Sequence, residues 1–150
     1  KKFVIRSCGR GEWEKFRKYH YLNHDLPKSA VCYGVYDCDN IIAFCGVLHQ
    51  PHAINKKIKR VCRLVVLPDY QGIGIGVKFL NVVAKLYTTQ EFDFSIITSA
   101  KNLIQALRKR NEWVLTRYGA APCSNNKNAI DYKRPSMRSQ VKTASFYFKR

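Results

Sequence analysis

The chain has 150 residues, 46% of them hydrophobic and 13% aromatic. That is enough for one domain burying roughly two-thirds of its unfolded surface, and it argues against a disordered chain. Twenty-seven Lys and Arg stand against ten Asp and Glu, a formal charge of +17, which exceeds what a solvated surface needs and attracts polyanions: nucleic acid, an anionic membrane or an acidic protein.

A single domain over residues 1–150 is expected. No apolar run approaches the roughly 20 residues of a bilayer span, no signal-peptide pattern starts the chain, and a cytoplasmic setting is expected. The first residue is Lys1, not Met, consistent with a trimmed chain or an excised domain. Cys8, Cys32, Cys38, Cys45, Cys62 and Cys123 form no Cys-x-x-Cys pair, and four of them lie in apolar, strand-like runs. Free, mostly buried thiols in a reducing compartment are the reading.

Residues 2–7 read as a first strand, broken by Gly9 and Gly11. Glu12 to Leu22 reads as a helix, with Trp13, Phe16 and His20 on one side and Glu14 four residues before Lys18. Asn23 to Pro27 ends it in a loop. Val31–Tyr36 and Ile41–Leu48 are strands joined by Asp37-Cys38-Asp39-Asn40, turn chemistry that fits an antiparallel hairpin. The second is apolar throughout, as a strand buried on both faces is. After a loop at Gln50–Asn55, Val61, Arg63, Val65 and Leu67 alternate with Cys62, Leu64 and Val66 in a central strand that Pro68 ends. Gly72, Gly74 and Gly76 follow. They lead into a helix with a polar stripe at Lys78, Asn81, Lys85 and Thr88 and an apolar face at Val77, Leu80, Val83 and Tyr87. Phe94–Ser99 is the next strand, then a helix from about Asn102 to Asn111, a strand at Trp113–Tyr118, a basic loop or arm over 121–142, and a last strand at Ser145–Lys149. No internal repeat is present.

Strand, glycine loop and helix in that order make an anion site, because bare N–H groups at a helix N-terminus point at a phosphate and the macrodipole favours it. The loop lacks the third glycine of the dinucleotide fingerprint, and there is no Gly-Lys-Ser/Thr of a P-loop. What fits is Gln71-Gly72-Ile73-Gly74-Ile75-Gly76 preceded by Val66-Leu67-Pro68. This resembles motif A of the GNAT (Gcn5-related) N-acetyltransferases, Arg/Gln-x-x-Gly-x-Gly/Ala, with every fixed position met. Over most of its length the chain is also similar to a GNAT-type domain that elsewhere is joined to an ABC-type ATPase. Tyr19-His20-Tyr21-Leu22, the block Arg63 to Gly76 and Thr98-Ser99 carry that likeness, with weaker support from Trp113 and Ser145-Phe146. No ATPase motif is present.

The resemblance implies the GNAT fold, an α/β architecture with a mixed, mainly antiparallel central sheet flanked by helices on both sides. It implies acetyl-CoA, or another acyl-CoA, as cofactor. Leu64, Val65 and Val66, facing Ile97 to Ser99, would hold the pantetheine arm through backbone groups. The amides of Gln71, Gly72, Ile73, Gly74, Ile75, Gly76 and Val77 would hold the diphosphate. Asn102 is similar to an asparagine that touches the cofactor in that family; its alternative role is an N-cap.

Two positions depart from the family pattern. Many relatives carry a Glu on the central strand as base, where this chain has Arg60 and Arg63, which cannot accept a proton. Many place a Tyr on the helix after Asn102 as acid, and none lies between residues 102 and 112. The substitutes are His20, histidine being a side chain whose ordinary range lies near neutrality, and Tyr21. His49 and His52 flank the loop before the central strand, and the ordinary role for each lone histidine is a satisfied or surface imidazole. His20, His24 and Asp25 could ligate a metal at helical spacing, but no second cluster joins them and no metal is expected.

Basic residues gather in three places: Lys56, Lys57, Lys59, Arg60 and Arg63; Arg108, Lys109 and Arg110; and a tail with seven Lys/Arg against one Asp between 121 and 150, including Lys133, Arg134 and Arg138. Such cations pair with phosphate, and Tyr132, Phe146 and Tyr147 offer stacking faces. The reading is an N-acyltransferase whose acceptor amine attacks the thioester directly, acting on DNA, RNA or a nucleic-acid-associated protein. The alternatives are a base-modifying enzyme of the phage Mom type on this fold, where a His-Tyr after the first helix looks similar, and a noncatalytic nucleic-acid-binding module. No membrane partner is expected, and the oligomeric state is open.

Overall fold

The computed structural model describes residues 2–20, 25–119 and 142–150. Tyr21, His24, Cys123, Lys133, Arg134, Arg138 and nearly all of the basic arm lie outside the described residues. Seven strands and two helices follow in the order β1 (Phe3–Ser7), β2 (Val31–Asp37), β3 (Asn40–His49), β4 (Ile58–Val66), α1 (Ile75–Thr88), β5 (Asp93–Thr98), α2 (Lys101–Arg108), β6 (Trp113–Gly119) and β7 (Thr143–Phe148). They form one sheet in the spatial order β1-β2-β3-β4-β5-β7-β6. Every adjacent pair is antiparallel except β4 with β5. Among the described residues no helix is long and apolar enough to cross a membrane.

Alternation along the strands decides which face each side chain serves. Ala43, Cys45 and Val47 of β3, Val61 of β4, Phe94 and Ile96 of β5 and Phe146 of β7 pack with α1 and α2 into the larger core. α1 contributes Val77, Phe79, Leu80, Val83 and Tyr87, all buried, which realises the apolar stripe in the sequence. On the other face Cys32, Phe44 and Val65 pack beneath Trp13 and Phe16 in a smaller core. β3 contributes to both cores, and its burial on both faces follows its continuous apolar run.

The helix expected over Glu12–Leu22 is replaced by two 3₁₀ segments, Arg10–Lys15 and Arg17–Tyr19. The inward residues Trp13 and Phe16 are three apart, the period at which a 3₁₀ turn stacks side chains. The charges repeat the spacing, with Glu12–Lys15 at 2.9 Å and Glu14–Arg17 at 3.1 Å, so the Glu14–Lys18 pair of an α-helix is supplanted. The remaining boundaries move by one to three residues from those read in the sequence, most at the end of α2, which stops at Arg108 and not Asn111, and at the start of β4.

Candidate functional site

The β4–β5 ladder is short. Its register pairs run from Ile58↔Asp93 to Val61↔Ile96 and stop. β4 continues to Val66 paired only to β3, and β5 continues to Thr98 paired only to β7. The edges of Cys62–Val66 and Ile97–Thr98 therefore face each other across a gap without ladder bonds. At its open end stands the glycine loop.

Gly72 and Gly74 both hold φ of 82°, the left-handed region that a side chain strains. Gly74 caps α1, and no side chain caps the helix in its place. Lys78 N–H is the first to find a helical carbonyl, that of Gly74 at 3.2 Å. From Gly72 to Val77 no backbone N–H donates to an acceptor among the described residues, as the first turn of a helix requires. Gln71 ties the loop to the strand, its Nε2 donating to the Val66 carbonyl at 2.8 Å. The first turn carries no acidic side chain.

Loop, gap and α2 enclose a cavity of about 500 Å³. Leu64 and Val66 line it from β4, Gln71, Gly72, Gly74, Ile75, Gly76 and Val77 from the loop and α1, and Asn102 from α2. A Cβ built on Gly72 or Gly74 meets nothing within 4 Å, so the backbone at both glycines is open to close approach. The chemistry of this donor set, six backbone N–H groups without acceptors among the described residues and no carboxylate on the cavity wall, suits a diphosphate.

Asn102 is on the cavity wall and is not the cap of α2, which is Ala100, whose N–H donates to Thr98 Oγ1 at 3.1 Å. Val65 points its side chain into the smaller core, leaving only its backbone on the strand edge. Ile73 is exposed, and neither it nor Ser99 lines the cavity. Tyr70, Leu103 and Ala106 also form the wall. Sequence reading passed over Tyr70 although it adjoins Gln71; its hydroxyl donates to Asp37 Oδ2 at 3.1 Å and its ring meets Phe3 edge-on.

His20 closes the second 3₁₀ segment and packs edge-on against Trp13, ring centroids 6.0 Å apart, on the side of the sheet away from α1. Arg63 lies on that side too. Its guanidinium donates to the carbonyls of Cys62 and Asp25, each at 2.6 Å, while Nε is buried with no partner among the described residues. The basic residues are spread rather than gathered. Lys56 donates to the His52 carbonyl and Lys57 pairs with Glu91 at 3.5 Å. Arg108 stacks over Tyr118 from α2, with Lys109 and Arg110 just beyond that helix. Among the described residues no group of three or more His, Cys, Asp or Glu is placed to hold a metal.

Solved structures share this fold. The ribosomal-protein-S18-alanine N-acetyltransferase of Escherichia coli superposes with a TM-score of 0.65 at 12% identity, covering 98% of this chain and 93% of its own. An acetyltransferase of Bacillus subtilis in complex with CoA gives 0.66 at 12% identity, covering 99% of both chains. Arabidopsis thaliana NAA60 in complex with acetyl-CoA gives 0.66 at 12% identity, covering 98% of both. At such identities the likeness establishes the fold. No curated protein sequence matches the chain significantly. The profile of the acetyltransferase (GNAT) family matches residues 4–109, and with the splayed strands and glycine loop in place the chain belongs to that family.

Proposed function

We propose that the chain is an acyl-CoA-dependent N-acyltransferase, with acetyl-CoA as the donor to test first. One observation carries the proposal: the backbone N–H groups from Gly72 to Val77 have no acceptor among the described residues, and all of these residues but Ile73 line the cavity beside the β4–β5 gap. Gln71, Gly72, Ile73, Gly74, Ile75, Gly76 and Val77 would hold the diphosphate, and the edges of Leu64, Val65, Val66 and Ser99 the pantetheine arm, with Asn102 alongside. When bound, the acyl-CoA supplies a thioester: the acceptor amine forms a C–N bond to its carbonyl, the C–S bond breaks, and the proton lost by nitrogen leaves with the thiol.

The chain's own part is to bind, to align and to move that proton. His20 is the proposed base, seated on Trp13 on the side of the sheet opposite the cofactor cavity, and Tyr21 the proposed acid. Calorimetric titration with acetyl-CoA tests the donor, and thiol release with amine acceptors tests turnover. No heat with acetyl-CoA favours a second reading, a noncatalytic nucleic-acid-binding module; arginines rather than a carboxylate on β4 support it. Mass spectrometry of the same pools distinguishes acyl transfer from a base modification of the Mom type. The likeness of the Arg63–Gly76 block to the domain joined to an ABC-type ATPase supports a place beside it within the family.

A further inference from the structure

Among the described residues, the face of the sheet opposite α1 is covered only in part. Over β2, β3 and β4 the segment with Trp13 and Phe16 closes it. Over β5, β7 and β6 no described residue does. Directly paired residues on neighbouring strands share a face, so the register identifies what lies there. Ser95 pairs with Tyr147 and Ile97 with Ser145 on β7; Tyr147 pairs in turn with Val114, and Ser145 with Arg117, on β6. Ile97 is 48% exposed and Tyr147 43%, an apolar side chain and an aromatic ring left open in the middle of a sheet. They belong to a groove of about 610 Å³ that also takes in His52, Ser95, Thr116 and Ser145.

The groove borders the same gap as the cofactor cavity, from the other face. Ile97, on its wall, is the first β5 residue beyond the last β4–β5 pair. Arg60 is in register with Ser95, and Arg117 with Ser145. Arg63 stands further along the same face of β4, with its buried Nε unsatisfied by any described residue. The one carboxylate on the groove wall, Asp93, is held by Arg150 at 2.9 Å and by Asn55 at 2.6 Å. An open tyrosine and short hydroxyl side chains thus line a space large enough for a base, with Arg60 and Arg117 in register beside its wall.

We infer that this half-face is the acceptor groove and that it takes single-stranded nucleic acid, the acceptor amine belonging to the bound strand. The inference rests on the proposed acyltransferase for its chemistry. Guanidinium groups at Arg60 and Arg117 meet backbone phosphates, and Tyr147 stacks on an unpaired base, a combination that favours a strand with unpaired bases over an acidic peptide. The overall charge of +17 supplies the attraction at longer range.

Fluorescence anisotropy with labelled single-stranded RNA and DNA oligonucleotides tests this in the full chain, with acetyl-CoA calorimetry run on every variant. Tyr147→Ala should weaken oligonucleotide binding about tenfold. Arg60→Ala and Arg117→Ala should each lower the slope of log affinity against log salt by roughly 0.7. Lys85→Ala, on the far side of α1, removes the same charge and should change neither. Unaltered acetyl-CoA binding in all four variants shows the fold intact, so loss of cofactor binding in the parent sinks the acyltransferase and not the groove. The inference is overturned if the oligonucleotides do not bind at low salt, if polyglutamate displaces them at equal charge, or if Tyr147→Ala, Arg60→Ala and Arg117→Ala behave like Lys85→Ala.

Discussion

Replacing Gly74 by alanine separates backbone strain from side-chain clash. Gly74 holds φ of 82° and ψ of 9° at the head of α1, a conformation that costs an L-residue about 1–2 kcal/mol. The added Cβ has nothing within 4 Å, so no steric contribution enlarges that figure. In a domain of this size the loss lowers the melting temperature by roughly 2–8 °C. Relief of the strain requires φ to turn negative, which rotates the Gly74 and Ile75 amides away from the cavity. A hydrogen bond to a charged group contributes about 1.5–3 kcal/mol, so acetyl-CoA affinity should fall roughly ten- to hundredfold. Gly76→Ala is the control. It sits inside the helix, and its Cβ would meet Val66 Cγ2 at 3.6 Å, an ordinary contact. Helix propensity then adds up to about 1 kcal/mol, and the melting temperature should hold or rise. Thermal melts followed by calorimetry check both. If Gly74→Ala melts and binds like the parent, or if Gly76→Ala is the less stable of the two, the account of the loop is wrong.

Asn81→Leu strips the acceptor from Trp113 Nε1, now 2.7 Å from Asn81 Oδ1, and should cost about 1–3 kcal/mol in urea unfolding, the price of an unmet half-buried donor. Burial, reinforced by the hydroxyl of Tyr33 at 2.7 Å, pushes the Tyr87 phenol above the ordinary tyrosine range. The folded chain keeps a proton that the unfolded chain releases near pH 10, so this part of the stability is full below about pH 10 and declines above it. Tyr87→Phe should flatten that alkaline decline, as urea midpoints measured up to about pH 11 will report. Thiol titration at mildly alkaline pH should label Cys38, the exposed one among the described cysteines, ahead of Cys8, Cys32, Cys45 and Cys62. Burial raises Cys8 to about 11 and lifts Cys45 further, so Cys45 should stay unlabelled until the chain unfolds.

Much of this arrangement could be read from residue order. The alternation around Val61 and Val65, the continuous apolar run of β3 and the stripe Val77, Leu80, Val83 and Tyr87 each carry a local period that burial then realises. The glycine loop was legible because positive φ restricts residue choice. The first helix was misread because Trp13, Phe16 and the paired charges satisfy periods of three and of nearly four alike over so short a span; only packing on Phe44 decides between them, with ring centroids 5.2 Å and 5.7 Å away. The position of Asn102 within α2, and the partition of Arg60, Arg63 and Arg117 onto one face, depend on register and on a ladder that ends early. No nearest-neighbour pattern encodes either.

The early end of the β4–β5 ladder also divides the sheet into two leaves. The first, β1 to β4, is a meander built from neighbours in sequence, while β5, β7 and β6 make a second leaf closed by a strand from the far end of the chain. Four register pairs and the packing of α1 are what join them. A ligand lodged between the leaves would act as a splint, supplying across the cleft the cross-links that the backbone omits. Amide exchange should then slow on both sides of the cleft together upon saturation, well beyond the residues that the ligand touches.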